Sequence, residues 1–283
     1  MAQSMEQIRQ KIKSVNTSYK ITKAMQLVST AKLKKVGKRI EMIKPYYSEV
    51  YDTFNQLIPK LSNSIYLKTK DQVINKTIWV VFNSNLGLCG GFNNNLNRLV
   101  LEQYKPQDEI VVIGSKGVSY FTNHHCKIMQ SYTEINIQSS YNDSQEISLL
   151  LLSKFNNKET DAIKIAYTKY LNTVTTIPTI IDLLPIVSIK TNQESNLIQT
   201  DFEPDANTVI NSAIPLYVGA IVYGALVESQ VSEQALRRLA MENASNNAKE
   251  MKDKLLVSYN RARQGAITQE ISEIIGGADA QSS

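Results

Sequence analysis

The sequence predicts an α/β protein of uncommon layout. The two ends of the chain form a long antiparallel coiled coil, and a small central α/β domain, Rossmann-like with a mainly parallel sheet, is inserted between them. Three observations predict this. Apolar residues recur at three- and four-residue steps from Ile8 to Leu57. β-branched and aromatic runs alternating with helical stretches then take over. The helical period returns after Asp205 and holds through Ser232–Ser283, where no proline occurs. A helix that long cannot bury its stripe against a small local core. It needs a partner of similar length, and the opposite terminus is the only candidate.

The expected domains are 1–59, 76–200 and 204–283. Ser4 and Gln7 have the spacing of a capping box. From Ile8 onward a 4-3-4-3 series runs through Ile12, Val15, Tyr19, Leu33, Val36, Ile40, Ile43, Tyr47, Val50 and Phe54. Its middle positions are Thr22, Gln26 and Ser29, and there the apolar residues Ile21, Met25 and Val28 sit one position earlier. The apolar stripe is therefore expected to drift around the helix in that segment. Pro45 should kink or interrupt the helix and Pro59 should end it. Fifty residues of helix span roughly 75 Å.

In the middle, Thr77–Phe82, Ile110–Gly114 and Ala162–Tyr167 read as strands, and residues 173–189 as a further β-rich run. Helices are expected over 96–104, 115–122 and 144–155, so strands and helices alternate as in a parallel sheet. The last helix starts near Pro204, bends around Pro215, Gly219 and Gly224, and stops at Gly276–Gly277. Its stripe is Leu236, Ala240, Ala244, Ala248, Met251, Leu255, Ala262 and Ala266. Being the longer helix, it should project beyond its partner or sit in another protein.

The charge is uneven. Residues 1–44 hold eleven Lys/Arg against two Glu, a balance of +9 within a chain total of +5, which leaves the remainder at −4. Such a helix suits an acidic protein, nucleic acid or an anionic membrane surface; the plainer reading is a solvated face. No run of eighteen apolar residues predicts a membrane span, and the charged N-terminus is no secretory signal. Cys89 and Cys126 make no disulfide framework, which suits a cytosolic chain.

Chemistry is thinly supplied. Gly87-Leu88-Cys89-Gly90-Gly91 lies between a strand and a helix, where phosphate-binding loops lie, but it has neither GxGxxG nor the Lys-Ser/Thr of a P-loop. A structural tight turn is the plainer reading. His124, His125 and Cys126 adjoin one another without a second ligand cluster at zinc spacing, so no metal site is expected. With two histidines in the chain, no catalytic constellation can be assembled. Near the C-terminus Arg261, Arg263, Gln264, Thr268 and Glu270 form either a solvated face or contacts to a partner surrounding the helix.

Four motifs carry a resemblance. Residues 12–17 (IKSVNT) with 21–33 (ITKAMQLVSTAKL), 87–93 (GLCGGFN), 202–205 (FEPD) and 259–271 (YNRARQGAITQEI) stand in the order, and over nearly the length, of the γ subunits of rotary F-type (F1Fo) ATP synthases and ATPases, which the chain resembles. The resemblance implies a central-stalk rotor without chemistry of its own and without cofactor or metal. It implies a ring of three α and three β subunits around the coiled coil, with ATP made or hydrolysed on β. It further implies a foot against the ε subunit and the membrane c-ring, no direct insertion into the membrane, no nucleic acid, and a place on the cytoplasmic side of the cell membrane. Arg263, Gln264, Thr268 and Glu270, with Met25 on the first helix, then fall at the β ring; Phe202 and Glu203 fall at the foot; Gly87, Gly90 and Gly91 form a structural turn. One departure stands out: Asn85 and Leu86 occupy the positions where the family usually carries an acidic and then a basic residue. That leaves open a specialised F1-like motor not dedicated to proton-driven synthesis. The remote alternative is a basic coiled-coil protein that binds nucleic acid.

Overall fold

A computed structural model describes residues 2–57, 65–67, 73–186, 203 and 205–281. Its elements are α1 (Ala2–Leu57), β1 (Thr77–Phe82), α2 (Phe92–Leu101), β2 (Glu109–Ile113), α3 (Ser115–Asn123), β3 (Ile128–Tyr132), α4 (Tyr141–Asn156), β4 (Ala162–Tyr170), β5 (Thr176–Leu184) and α5 (Ala206–Gln281). The chain divides into two compact units, residues 1–29 with 238–283, and residues 30–237.

In the larger unit the sheet runs β3-β2-β1-β4-β5; its first three pairings are parallel and β4–β5 is antiparallel. Central β1 (TIWVVF) is buried at every position. That is why its sequence shows no polar alternation: a parallel strand covered on both faces reads as one apolar run. One face sets Ile78, Val80 and Phe82 against Ile147, Leu151 and Phe155 of α4, Val218, Ile221 and Val222 of α5, and Phe54 of α1. The other sets Trp79 and Val81 against Leu96 and Val100 of α2 and Phe121 of α3. Buried Asp108 is fully engaged at the strand edge, accepting from Thr77 N, Trp79 Nε1 and Lys105 N, each at 3.0 Å. The β4–β5 hairpin closes on Asn172, whose Oδ1 accepts from Val174 N and Thr175 N.

α5 starts on Asp205, which caps it. The carboxylate accepts from Thr208 N at 2.9 Å and from Thr208 Oγ1 at 2.6 Å. Among the described residues α5 is the one helix long and apolar enough to cross a membrane, yet 72% of the apolar window is buried inside the protein. Apart from the exposed Leu216, its large apolar residues from Ile214 to Val231 pack in the core of the larger unit.

Several helix boundaries depart from the sequence expectation. α1 begins at Ala2, so Ser4 lies within it instead of capping it. Pro45 does not interrupt α1: the proline is on an exposed position, where water can serve the carbonyl left without a donor, and Tyr47, Val50 and Phe54 pack beyond it. Pro215, where a bend and not an end was expected, lies inside α5. Gly276–Gly277 does not stop α5, which continues to Gln281 through Ala278 and Ala280, residues of high helix propensity. Pro59 lies outside the described residues. One strand, β3, was not expected; it is a short edge strand, IMQSY, with polar residues in its outer half.

Candidate functional surface: the helix pair and the turn

The smaller unit pairs the first half of α1 with the last part of α5. Lys252 Nζ donates to Asn16 Oδ1 at 3.4 Å, while Ser29, Met241 and Ser245 are buried near the other end of the pair, so the helices run antiparallel. The buried side of α1 follows Ile8, Ile12, Val15, Tyr19, Thr22, Gln26 and Ser29 in unbroken 4-3 steps. The expected drift of the packing line is therefore corrected. Ser29 is 2% exposed, whereas Ile21 and Val28 are 55% and 54% exposed. Small and polar residues hold the seam here because α5 presents Ala244, Ser245 and Ala248, which permit close approach. On α5 the seam runs through Ala248, Lys252, Leu255, Tyr259, Ala262 and Ala266. Met251, expected on it, is 55% exposed; Lys252 takes the inward place and its ammonium ends on Asn16.

With Asn16 level with Lys252, and both helices rising equally per residue, α1 runs out opposite about residue 266 of α5. From Ile267 to Ile275 every residue of α5 is exposed. Ile267, Ile271 and Ile274 there continue a 4-3 apolar stripe that no described residue of the smaller unit covers. The sequence signal for this stripe is the same 4-3 step that marks the seam, one face further round. Thr268 and Glu270 lie on this end segment, Arg263 and Gln264 on the last paired turn before it, and all four are exposed. Thr268 Oγ1 donates back to Gln264 O at 2.9 Å, and neither Arg263 nor Glu270 enters an ion pair among the described residues. A Cβ added to Gly265 would meet nothing within 4 Å, so no contact inside the unit calls for glycine at that point of a helix. Met25 is half-buried beside the α1 seam. Glu203 is exposed, and Phe202 lies outside the described residues.

In the larger unit the glycine turn is held from α5. Arg237 donates from Nη2 to Leu86 O at 2.9 Å and Gly87 O at 3.3 Å, and from Nη1 to Glu233 at 2.5 Å. Burial pushes the Glu233 carboxyl up, and Arg237 pulls against that. Gly90 has φ +60°, the left-handed region that favours glycine; Leu88 shares it at +61°. A Cβ on Gly91 would press on the Asn95 amide at 2.7 Å, while one on Gly87 would make an ordinary 3.8 Å contact with Lys116. Asn85 donates to Ile135 O and accepts from Ser115 N, both at 2.9 Å, so it joins two loops. Leu86 is 66% exposed. Burial raises the Cys89 thiol above its ordinary range, so the turn does not present a thiolate. His124 stacks on Tyr120 and its Nδ1 lies 2.8 Å from Tyr120 O, turned to its own helix.

Arg39 is a clamp that sequence reasoning did not identify. Its guanidinium donates to Ile137 O at 3.0 Å, to Ser139 O and to Tyr223 Oη, and lies 5.3 Å from the Tyr223 ring centroid. A charge facing inward among apolar heptad positions gives no signal of what it will meet.

The sequence model of the ATP synthase family matches residues 4–281. The chain is 49% identical over 277 residues to the ATP synthase gamma chain of Mycoplasma capricolum, covering 97% of this chain and 98% of that one. It is 35% identical to the sodium-ion-specific ATP synthase gamma chain of Acetobacterium woodii, covering 99% of each. The chain belongs to the ATP synthase gamma family. Among solved structures, it is similar in fold to a chain of the Euglena gracilis mitochondrial ATP synthase OSCP/F1/c-ring structure, with TM-score 0.73, 19% identity, and 99% of this chain and 95% of that chain covered. A second likeness is to a chain of the Tetrahymena thermophila mitochondrial ATP synthase central stalk/c-ring structure, with TM-score 0.62, 23% identity, and 80% and 99% covered. Membership and stalk fold together make this chain a central-stalk rotor subunit, non-catalytic as gamma subunits are, in a membrane-associated sector peripheral to the bilayer.

Proposed function

We propose that the two-helix stalk turns inside a ring of three α and three β subunits, that ATP is made or hydrolysed on β, and that the foot bears on ε and the c-ring at the cytoplasmic side of the cell membrane. The observation that carries this reading is the end of α5 beyond its pairing with α1, exposed on all sides and striped with Ile267, Ile271 and Ile274. A lone helix end with that stripe is stable when a partner encloses it.

Arg263, Gln264, Thr268 and Glu270 are the groups that exchange hydrogen bonds with β as the shaft turns, with Met25 on α1 at the lower opening; Phe202 and Glu203 serve the foot. Coupling is then a difference in β-site affinity between shaft angles: rotation shifts which site is open because shaft contacts differ between angles. The +9 balance of residues 1–44 fits acidic loops of β as they pass.

The test is the double variant Arg263→Ala/Gln264→Ala in the assembled complex. ATP turnover per ring should fall while helix content and subunit composition stay unchanged. Unchanged turnover in an intact complex would remove the roles given to these two residues. Asn85 and Leu86, in place of a charged pair, favour a second reading, a motor uncoupled from a c-ring; co-purification of a c-ring decides against it.

A further inference from the structure

α5 changes character inside the larger unit. From Val218 to Val227 its buried residues are apolar. From Glu228 to Arg237 most of them are polar: Glu228, Ser229, Gln230, Ser232, Gln234 and Arg237 are each 6% exposed or less. Three of these bind the sheet. The pairing of β4 with β1 ends at Ala166, and β4 runs on to Tyr170. α5 takes up the backbone beyond that point. Ser229 Oγ accepts from Thr168 N at 3.3 Å, Ser232 Oγ donates to Thr168 O at 2.9 Å, and Glu228 Oε2 accepts from Tyr170 N at 3.4 Å. Thr168 and Tyr170, two residues apart in a strand, turn the same way, so one line of helix side chains serves one side of the strand.

α1 is tied to the same stretch. Tyr47 Oη donates to Glu228 Oε1, and Gly224 makes room for the ring: a Cβ there would meet Tyr47 at 2.9 Å. Arg39 donates to Tyr223 Oη of α5 at 2.6 Å, to Ile137 O at 3.0 Å and to Ser139 O. The loop carrying those two carbonyls is held from elsewhere too, by Gln230 Nε2 on Asn136 O at 2.8 Å and by Asn85 Nδ2 on Ile135 O at 2.9 Å. Apolar packing is non-directional, whereas each of these bonds is made at one height and one rotation of the helix. Buried polar groups are a poor source of stability compared with apolar residues of the same volume. Their best-attested use is to fix register.

We propose that this polar belt is a register lock. Glu228, Ser229, Gln230 and Ser232, with Arg39 and Tyr47, are positioning residues that fix the rotation and height of α5 against the α/β body. The apolar stretch from Val218 to Val227 keeps the helix buried; the polar stretch after it sets its angle. In a rotor, torque crossing between the body and α5 passes through these bonds. That last step rests on the rotor reading; the lock itself does not, and it is tested without a ring.

The lock is read in the free full chain. Spin labels at Ser153→Cys on α4 and Ser212→Cys on α5, both exposed positions, report the distance from α5 to the body by pulsed electron resonance in a Cys126→Ser background. Ser229→Ala/Ser232→Ala, and separately Arg39→Met, should widen the distance distribution about twofold at temperatures where circular dichroism matches the parent chain. Val231→Ala, an apolar truncation at a position 0% exposed in the same stretch, should lower the melting temperature and leave the width unchanged. Arg39→Met decides if the serine variant does not fold. Parental widths in the polar variants that fold, or a Val231→Ala width as large as theirs, would overturn the lock. In the assembled complex, a bead held at Ser153→Cys should show about twofold larger angular variance during pauses in Arg39→Met than in the parent. Equal variance would overturn the torque step. A parent complex whose bead does not turn would count against the rotor reading, and the free-chain distances would still decide the lock.

Discussion

The same two helices behave differently in the two units. In the larger unit α5 is buried at nearly every position from Tyr217 to Ala235, and α1 contributes Val36 and Ile40 to a packed cluster with Val227 and Val231. In the smaller unit α5 has no fully buried residue beyond Ser245 among those described, and its pairing with α1 is a single half-buried line. What separates them is the number of partners the chain itself supplies. In the larger unit a sheet and several helices surround α5. In the smaller unit one helix covers one side, and large apolar residues such as Val257 and Ile274 stay exposed at 70% and 72%. An isolated two-helix pair cannot bury more than one stripe of each helix, so the remaining apolar surface is available to other subunits.

The sharpest way to separate the units is a matched pair of truncations. Phe82 is 1% exposed in the sheet core, and Phe82→Ala should destabilise the chain by about 3–5 kcal/mol through lost burial and a cavity. Ile274→Ala should stay within about 0.5 kcal/mol in the free chain, because it removes surface already in water. Thermal unfolding of both variants checks this. A loss at Ile274 comparable to that at Phe82 would mean that the free chain already buries its end. In the assembled complex the ranking should change, with Ile274→Ala weakening retention of the subunit.

A smaller effect probes how the larger unit holds its turn. Arg237→Ala removes the donors to Leu86 O and Gly87 O and leaves Glu233 buried without its cation. The cost should be about 3 kcal/mol at neutral pH. Its pH dependence has a definite sign. Burial raises the folded-state pKa of Glu233, and the Arg237 cation pulls against that rise. Removing Arg237 raises that pKa further. The variant should therefore be least impaired at pH below the ordinary carboxylate pKa and lose stability as pH rises through the new value. Melting temperatures of parent and variant from pH 4 to 8 check this; a constant gap between them would remove Glu233 from the account.

The strands were legible because burial on both faces writes itself as an apolar run, as in Thr77–Phe82 and Ala162–Tyr167. The seam was legible even through Thr22, Gln26 and Ser29, because spacing persists where hydrophobicity lapses. Following hydrophobicity instead led to Ile21, Met25 and Val28, and the structure leaves Ile21 and Val28 outside the pair. β3 was illegible because an edge strand needs only one apolar side. The interruption allowed for at Pro45 and the helix end expected at Gly276 are absent because local breakers cost only a few kcal/mol, which neighbouring packing or good helix formers offset. The clamping roles of Arg39 and Arg237 could not be assigned, since each also reaches backbone carbonyls far along the chain, and carbonyls carry no sequence signal.

The smallest expected effect bears most directly on what encloses the end of α5. Gly265 lies in an exposed helical stretch where an added methyl group would meet nothing within 4 Å. Glycine costs a helix interior about 1 kcal/mol relative to alanine. Gly265→Ala should therefore raise helix content and stabilise the smaller unit of the free chain by about that amount, as read by circular dichroism on heating. No contact among the described residues explains the glycine, so its reason is sought in close approach by a neighbour. If the ring closes on that face, the same variant should assemble less well or turn over ATP more slowly, a gain in the free chain set against a loss in the complex. A stabilised chain with unchanged assembly and turnover would place the partner on the other faces of α5, those that carry Ile267, Ile271 and Ile274.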